Sequence, residues 1–336
     1  MIDRYSRQTI FSGIGEEGQK KLGNSCVVIV GCGALGTIIA TTLVRAGVGK
    51  VRIIDRDFIE YHNLQRQVLF DEEDIKNQLP KSIAAERHLK KVNSSIEIEG
   101  IVADVNYANV ERFVRGADLI LDGLDNFETR YLINDASLKH GIPWIYGGAL
   151  SSSGMTMNII PGETPCFRCF SPKVLGGGMV LTCDTAGVIG PAPFVIGSLQ
   201  SAEALKILVG AENISRDLVF VDVWEGIFSR LKRSLYADCP SCQGKFEFLE
   251  ARYGIRTTSL CGQNAVQITN PEVKEISFER LATHLGSIGE VDYNEFMLRC
   301  VIDNYEMVIF PDGRAIVKDT DDESLARGLY AKYIGI

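Results

Sequence analysis

The sequence predicts an α/β fold whose mostly parallel sheet is continued by antiparallel strands, and three observations carry that expectation. Residues Val27 to Asp57 read as strand, glycine turn, helix and strand: a β-branched apolar run leads into Gly31-Cys32-Gly33-Ala34-Leu35-Gly36, and a second run, Val51 to Ile54, ends on Asp55. The alternation recurs through a helix at Ser82 to Val92, a strand at Ile96 to Val102, a short helix at Val110 to Gly116, a buried strand at Asp118 to Asp122, a helix at Glu128 to His140 and a strand at Pro143 to Tyr146. The rhythm then stops. Strands at Met155 to Ile160, Leu218 to Asp222 and Phe228 to Leu235 follow, with one apolar helix, Ala192 to Val209, among them, so the Rossmann-like sheet closes with antiparallel neighbours.

Each glycine of the turn has a mechanical task. Gly31 makes the tight bend, Gly33 lets backbone N–H groups approach a phosphate, and Gly36 lets helix and strand close on each other. An anion would rest on the helix N-terminus, with Asp55 placed to hold a ribose hydroxyl. This unit alone implies an adenine nucleotide, either a redox cofactor or a consumed ATP.

Bulk properties narrow the choice. A chain of 336 residues with 46% hydrophobic content supports a large α/β domain and a smaller one. The net charge of −8 disfavours a nucleic-acid partner, since phosphate backbones reward clustered Lys and Arg. The longest apolar runs, such as Ala192 to Leu199, fall short of the roughly 20 residues a membrane span needs. No signal sequence is recognised at Met1-Ile2-Asp3-Arg4, so a cytoplasmic protein without a membrane partner is expected.

Several polar positions fall where ligands of open α/β sheets bind. Arg4-Tyr5-Ser6-Arg7-Gln8 reads either as a solvated helix or as an arm carrying a phosphate-binding arginine, and a polar helix follows at Gly13 to Leu22. The polar loop from Asp57 to Gln67 starts at the carboxyl tip of the second strand, so Asn63, Gln65 and Arg66 can face a nucleotide. Lys81 opens a helix, where a cation opposes the macrodipole unless an anion lies near. Asp122-Gly123-Leu124-Asp125-Asn126 emerges at the same edge; two acids and an Asn suit Mg²⁺ on a nucleotide, while one helix N-cap accounts for Asp125 or Asn126 but not both.

Two CxxC pairs, Cys166 with Cys169 and Cys239 with Cys242, match a closed tetrahedral Zn²⁺ site, structural because four protein ligands leave no open position. Cys26, Cys32 and Cys300 read as packed thiols. Cys183 stands apart, following Gly176-Gly177-Gly178 in a polar loop that offers a thiol no packing. Beyond the second pair, a strand at Ala265 to Ile268, a helix at Ser277 to Leu285, strands at Phe296 to Ile302, Glu306 to Phe310 and Arg314 to Val317, and a helix at Asp321 to Tyr333 predict a small α+β domain. The division expected is 1–245 and 246–336.

Taken together these residues resemble the ThiF/MoeB family of adenylating enzymes, bacterial relatives of ubiquitin-activating enzymes. RYSRQ, GCGALG, DRDFIEYHNLQRQ, LPK, DGLDN, PCFRC, TAGVIGP and CPSC occur in family order over about residues 3 to 245. The resemblance implies ATP- and Mg²⁺-dependent adenylation of the C-terminal Gly-Gly carboxylate of a small ubiquitin-like sulfur carrier, for thiamine or molybdopterin synthesis, with release of pyrophosphate. It implies that Gly31, Gly33, Gly36, Asp55 and Asp57 line the nucleotide, that Asn63, Arg66 and Lys81 contact phosphates, and that Asp125, beside Asn126, is the Mg²⁺-associated acid. It also implies a homodimer in which Arg7 reaches the other subunit's ATP, and a sulfurtransferase or cysteine desulfurase as sulfur source. For Cys183 the family offers two roles, a covalent link to the carrier or its sulfur, or none. The tail resembles that of longer family members, as a carrier-docking or a packing appendage.

The chemistry agrees. A carboxylate attacking an α-phosphate brings negative groups together, so Arg7, Arg66, Lys81 and Mg²⁺ neutralise charge building in the transition state. No general base is needed, because a carboxylate is already ionised at neutral pH. Rival readings are a superfamily member activating a peptide or tRNA-linked carboxylate, an NAD(P)-dependent oxidoreductase, which leaves Arg66, Lys81 and Asp125 unexplained, and a non-catalytic scaffold.

Overall fold

A computed structural model describes residues 4–172, 187–250, 257–260, 264–269, 276–286, 288–302 and 304–334. Cys183, Cys261 and the start of the TAGVIGP run lie outside them. The described residues fall into two compact units, 4–172 with 187–250, and 257–334.

The larger unit is built on an eight-stranded sheet. Five strands, β1 (Cys26–Val30), β2 (Lys50–Asp55), β3 (Glu97–Val102), β4 (Leu119–Asp122) and β5 (Trp144–Leu150), run parallel in the order β3-β2-β1-β4-β5. Strands β6 (Ser153–Ile159), β7 (Leu218–Asp222) and β8 (Ile227–Leu231) continue it antiparallel, as the sequence predicts. Strand β8 stops four residues before the expected Leu235. The strand order reverses between β1 and β4, and a doubly wound sheet opens its ligand crevice at the carboxyl ends flanking such a switch.

On one face, Val28, Val30, Ile120, Trp144, Tyr146 and Phe167 join Tyr131 and Ile133 of helix α7 (Phe127–His140) in a continuous buried core. On the other, α3 (Ala34–Ala46) packs on β1, β2 and β4 and meets α9 (Pro191–Val209). Gly197 allows that crossing: a Cβ there would stand 3.0 Å from the Ile38 Cβ. Helix α9 is long and apolar enough, by length and composition, to cross a membrane, yet Ala192, Ile196, Gly197, Gln200, Ser201 and Ala204 are buried and it packs on α3, β5 and β6. The Asp57 to Gln67 loop contains a 3-10 turn at Tyr61–Asn63, and α4 (Glu72–Lys76), whose five residues carry no apolar period, is fixed by the capping box of Asp71 and Asp74.

In the smaller unit a six-stranded antiparallel sheet runs β11 (Glu290–Tyr293), β12 (Leu298–Ile302), β13 (Tyr305–Ile309), β14 (Ala315–Lys318), β10 (Ala265–Ile268), β9 (Thr257–Leu260). Strands β9 and β11, short and polar, were not expected from the sequence. Helices α10 (Phe278–Leu285) and α11 (Glu323–Tyr333) bury Leu285, Ala326, Leu329 and Tyr330 against Val266, Leu298, Met307 and Val317.

Candidate active site

The glycine turn is interlocked with the start of the loop after β4. Gly31 has φ +91°, open only to glycine, and a Cβ on it would stand 2.6 Å from the Gly123 carbonyl oxygen. A Cβ on Gly36 would meet the Gly31 oxygen at 2.0 Å, so α3 starts in contact with the turn. Gly33 differs: nothing comes closer than 3.7 Å to that point, leaving its face open. The N-terminus of α3, with its unsatisfied N–H groups, begins there.

Asp55 ends β2 beneath this turn and is buried. Its Oδ2 accepts from the Cys32 N–H at 2.5 Å and its Oδ1 from the Asp57 N–H at 2.7 Å. Burial pushes the carboxyl up, while Lys81 and the two N–H donors oppose that. Lys81, the first residue of α5 (Lys81–Val92), is 7% exposed and aims its Nζ at Asp57 Oδ2, 3.2 Å away. Burial works against its charge, but Asp57, then Asp55 and Asp125, outweigh it and raise the Lys81 pKa, keeping a cation at the crevice.

From the loop, Asn63 is buried; its Oδ1 accepts from the Glu60 N–H at 3.0 Å, closing the 3-10 turn. Arg66 is half-buried, one guanidinium N–H donating to the His62 carbonyl at 2.8 Å. Gln67 is an addition to the expected set: it is 4% exposed, its Nε2 lies 4.0 Å from where a Gly33 Cβ would stand, and its Oε1 has no hydrogen-bond partner among the described residues. The only sequence signal for it is its place at the end of Asn63-Leu64-Gln65-Arg66-Gln67.

After β4 the two acids part company. The expectation that both suit a metal is corrected for Asp122, which is fully buried and receives the Arg130 Nε–H at 2.9 Å and the Leu124 N–H at 2.8 Å. Asp125 is exposed at the crevice. Asn126 is the N-cap of α7, its Oδ1 accepting from the Thr129 N–H at 3.0 Å, so the cap leaves Asp125 unexplained by helix structure.

Arg7 is exposed on the short helix α1 (Ser6–Thr9). Gln8 Nε2 donates to the Ala46 carbonyl at the end of α3, and the Tyr5 hydroxyl accepts from Asn93 just past α5. Both anchors lie at the helix ends opposite the glycine turn and Lys81. Three histidines are tied to carboxylates, His88 to Asp74, His140 to Glu111 and His62 to Glu60.

The four CxxC sulfurs lie within 4.8 Å of one another, with neighbouring Sγ pairs at 3.5, 3.6 and 3.8 Å. A regular tetrahedron with metal–sulfur bonds of about 2.3 Å requires edges of about 3.8 Å, so the set could hold zinc. The cradle is braced from α7: Asp135 accepts from the Ser241 hydroxyl at 2.6 Å and the Phe248 N–H at 3.0 Å, and Asn134 Oδ1 accepts from the Phe167 N–H at 2.8 Å. Cys32 and Cys300 are packed thiols as expected, and burial pushes Cys300 up to about 11.

Comparison with known proteins places this geometry. The ThiF family model matches residues 5–242. The chain is 45% identical, over all of both sequences, to the Bacillus subtilis sulfur carrier protein ThiS adenylyltransferase, and 38% identical over 72% of its length and 90% of the relative's to a sulfur carrier protein adenylyltransferase of Thermus thermophilus. The crystal structure of E. coli MccB with ATP superposes with a TM-score of 0.63 at 25% identity, covering 72% of this chain and 75% of that one. A family match across residues 5–242 and 45% identity over a full-length relative show that the chain belongs to the ThiF family.

Proposed function

We propose that this protein is an adenylyltransferase of the ThiF/MoeB type that uses ATP to activate the C-terminal Gly-Gly carboxylate of a ubiquitin-like sulfur carrier for thiamine or molybdopterin synthesis, releasing pyrophosphate. The observation that carries this reading is the 45% identity to the ThiS adenylyltransferase, which runs through residues 246–336 as well as the family core. That full-length match favours the thiamine branch, and residues 246–336 then serve as an accessory unit of the same enzyme.

In this reading the nucleotide lies along the open face of Gly33, its phosphates on the α3 N-terminus and its ribose toward Asp55. Lys81 and Arg66 hold phosphate oxygens in line for attack, and Asp57 keeps Lys81 charged until they arrive. Asp125, the exposed acid of the β4 loop, holds Mg²⁺, which shields the charge building on the phosphates.

Arg7 supports a homodimer. Helix α3 has 13 residues, about 20 Å at 1.5 Å per residue, and α1 is anchored at its far end. No arginine side chain spans that length, so an Arg7 that touches ATP touches the one bound by a second copy. Exposed Ile10 and Phe11 beside it supply apolar surface for such a contact. A cytoplasmic location and sulfur from a sulfurtransferase or cysteine desulfurase complete the reading.

ATP–pyrophosphate exchange tests it: exchange should appear only when a carrier ending in Gly-Gly is added. Exchange absent with both a thiamine-type and a molybdopterin-type carrier would refute the assignment, and carrier-free exchange with a peptide would favour the alternative of a peptide-activating member of the superfamily. Cys183→Ser should leave exchange intact, and loss of sulfur transfer in that variant would give Cys183 its covalent role.

A further inference from the structure

We propose that Arg130 is a positioning residue for the reaction, gripping the turn that presents Asp125; this rests on the reading of Asp125 above. Arg130 lies on α7, 4% exposed. Its Nε–H donates to Asp122 Oδ2 at 2.9 Å, and its Nη2 donates to the Leu124 carbonyl at 2.6 Å and the Gly147 carbonyl at 2.9 Å. The other Asp122 oxygen accepts from the Leu124 N–H, and the Asp122 carbonyl accepts from Gln200 Nε2 at 2.9 Å. Residues 122 to 124 are thereby held at carboxylate, amide and carbonyls, from α7, β5 and α9 together.

The chain leaves this grip immediately before Asp125 and is caught again one residue later by the Asn126 cap. Asp125 is thus fixed on both sides while its own carboxylate remains exposed. A buried Arg–Asp pair is a poor way to gain stability, because desolvation offsets the attraction, whereas a planar fork with three separately directed bonds is an effective way to fix one geometry. The Arg130 guanidinium also lies 5.1 Å from the Tyr146 ring centroid, which limits its tilt.

Arg130→Lys is the test, because lysine keeps the charge but cannot make the fork. The variant should bind AMP within about twofold of the parent protein and melt within a few degrees of it. Its carrier-dependent exchange should fall about 10- to 100-fold in kcat, the scale of a 1 Å misplacement, with a raised Mg²⁺ half-saturation. Exchange and Mg²⁺ dependence within twofold of the parent would overturn the proposal. So would parallel losses of AMP binding, melting temperature and exchange, the signature of a merely structural role. If Arg130→Lys does not fold, Asp122→Asn with Arg130→Gln removes both buried charges and is judged by the same readouts. Full exchange in Asp125→Asn would instead refute the reading of the site itself, and is scored separately.

Discussion

Lys81 and Asp57 are joined twice across the loop between β2 and α5, by the 3.2 Å ion pair and by the Lys81 N–H donating to the Asp57 carbonyl at 2.9 Å. The pair stores a buried cation beside the glycine turn without nucleotide. Lys81 is charged more firmly in the folded chain than in the unfolded one. Its contribution to stability is therefore complete at neutral pH and declines only as pH rises past the ordinary lysine value of about 10.4 toward the higher folded value. Asp57→Asn should be less stable than the parent by an amount constant from pH 6 to 9 and shrinking above pH 10, measured by urea unfolding at each pH. A gap that widens with alkalinity would contradict the pairing.

Arg66 is the cleaner probe of phosphate binding. It donates an exposed hydrogen bond to the His62 carbonyl, worth about 1 kcal/mol. Arg66→Ala should melt within about 4 °C of the parent and lose exchange by about 100-fold or more. Lys81→Ala should lose both, because it also leaves Asp57 with less counter-charge. Equal losses of melting temperature in the two variants would count against a direct role for Arg66.

What could be read from the sequence divides along physical lines. Gly31, Gly36 and Asp55 announce themselves because their tasks are backbone tasks at fixed spacing, and the two CxxC pairs do so because two short turns suffice to aim four sulfurs. Arg130 gave no such signal: an arginine inside a helix reads as solvated until Asp122 and Gly147 are seen around it. Asp122 reads as a metal acid for a related reason, since sequence cannot say which of two acids at a strand tip already has a buried cation. Gln67 hid in a polar loop because burial there depends on tertiary contact. Strands β9 and β11 carry one and two apolar residues, without the apolar run that marks the equally short β10.

The cysteine cradle should carry one zinc per chain by metal analysis. Cys242 is the exposed member of the set, so Cys242→Ser disturbs the core least while removing a ligand. It should lose the metal and melt several degrees lower, yet retain exchange per folded molecule at a temperature where it is folded, because the site braces α7 through Asp135 and Asn134 rather than facing the crevice. Loss of exchange from a fully folded variant would indicate that the cradle acts in the reaction itself.

The distance between α1 and the glycine turn yields the sharpest test of the dimer. If Arg7 serves the partner's site, Arg7→Ala and Asp125→Ala are each nearly inactive, for different reasons. In a mixed dimer the Arg7→Ala chain supplies an intact crevice and the Asp125→Ala chain supplies the arginine, so one of the two sites is whole. Random mixing makes half the dimers heterodimers, and exchange should recover to roughly a quarter of the parent rate per chain. Mixing Arg7→Ala with Arg7→Ala, Asp125→Ala should recover nothing, since neither chain then carries the arginine. Recovery absent from the first mixture, after subunit exchange is verified by differential tagging, would show that Arg7 does not serve the partner's site.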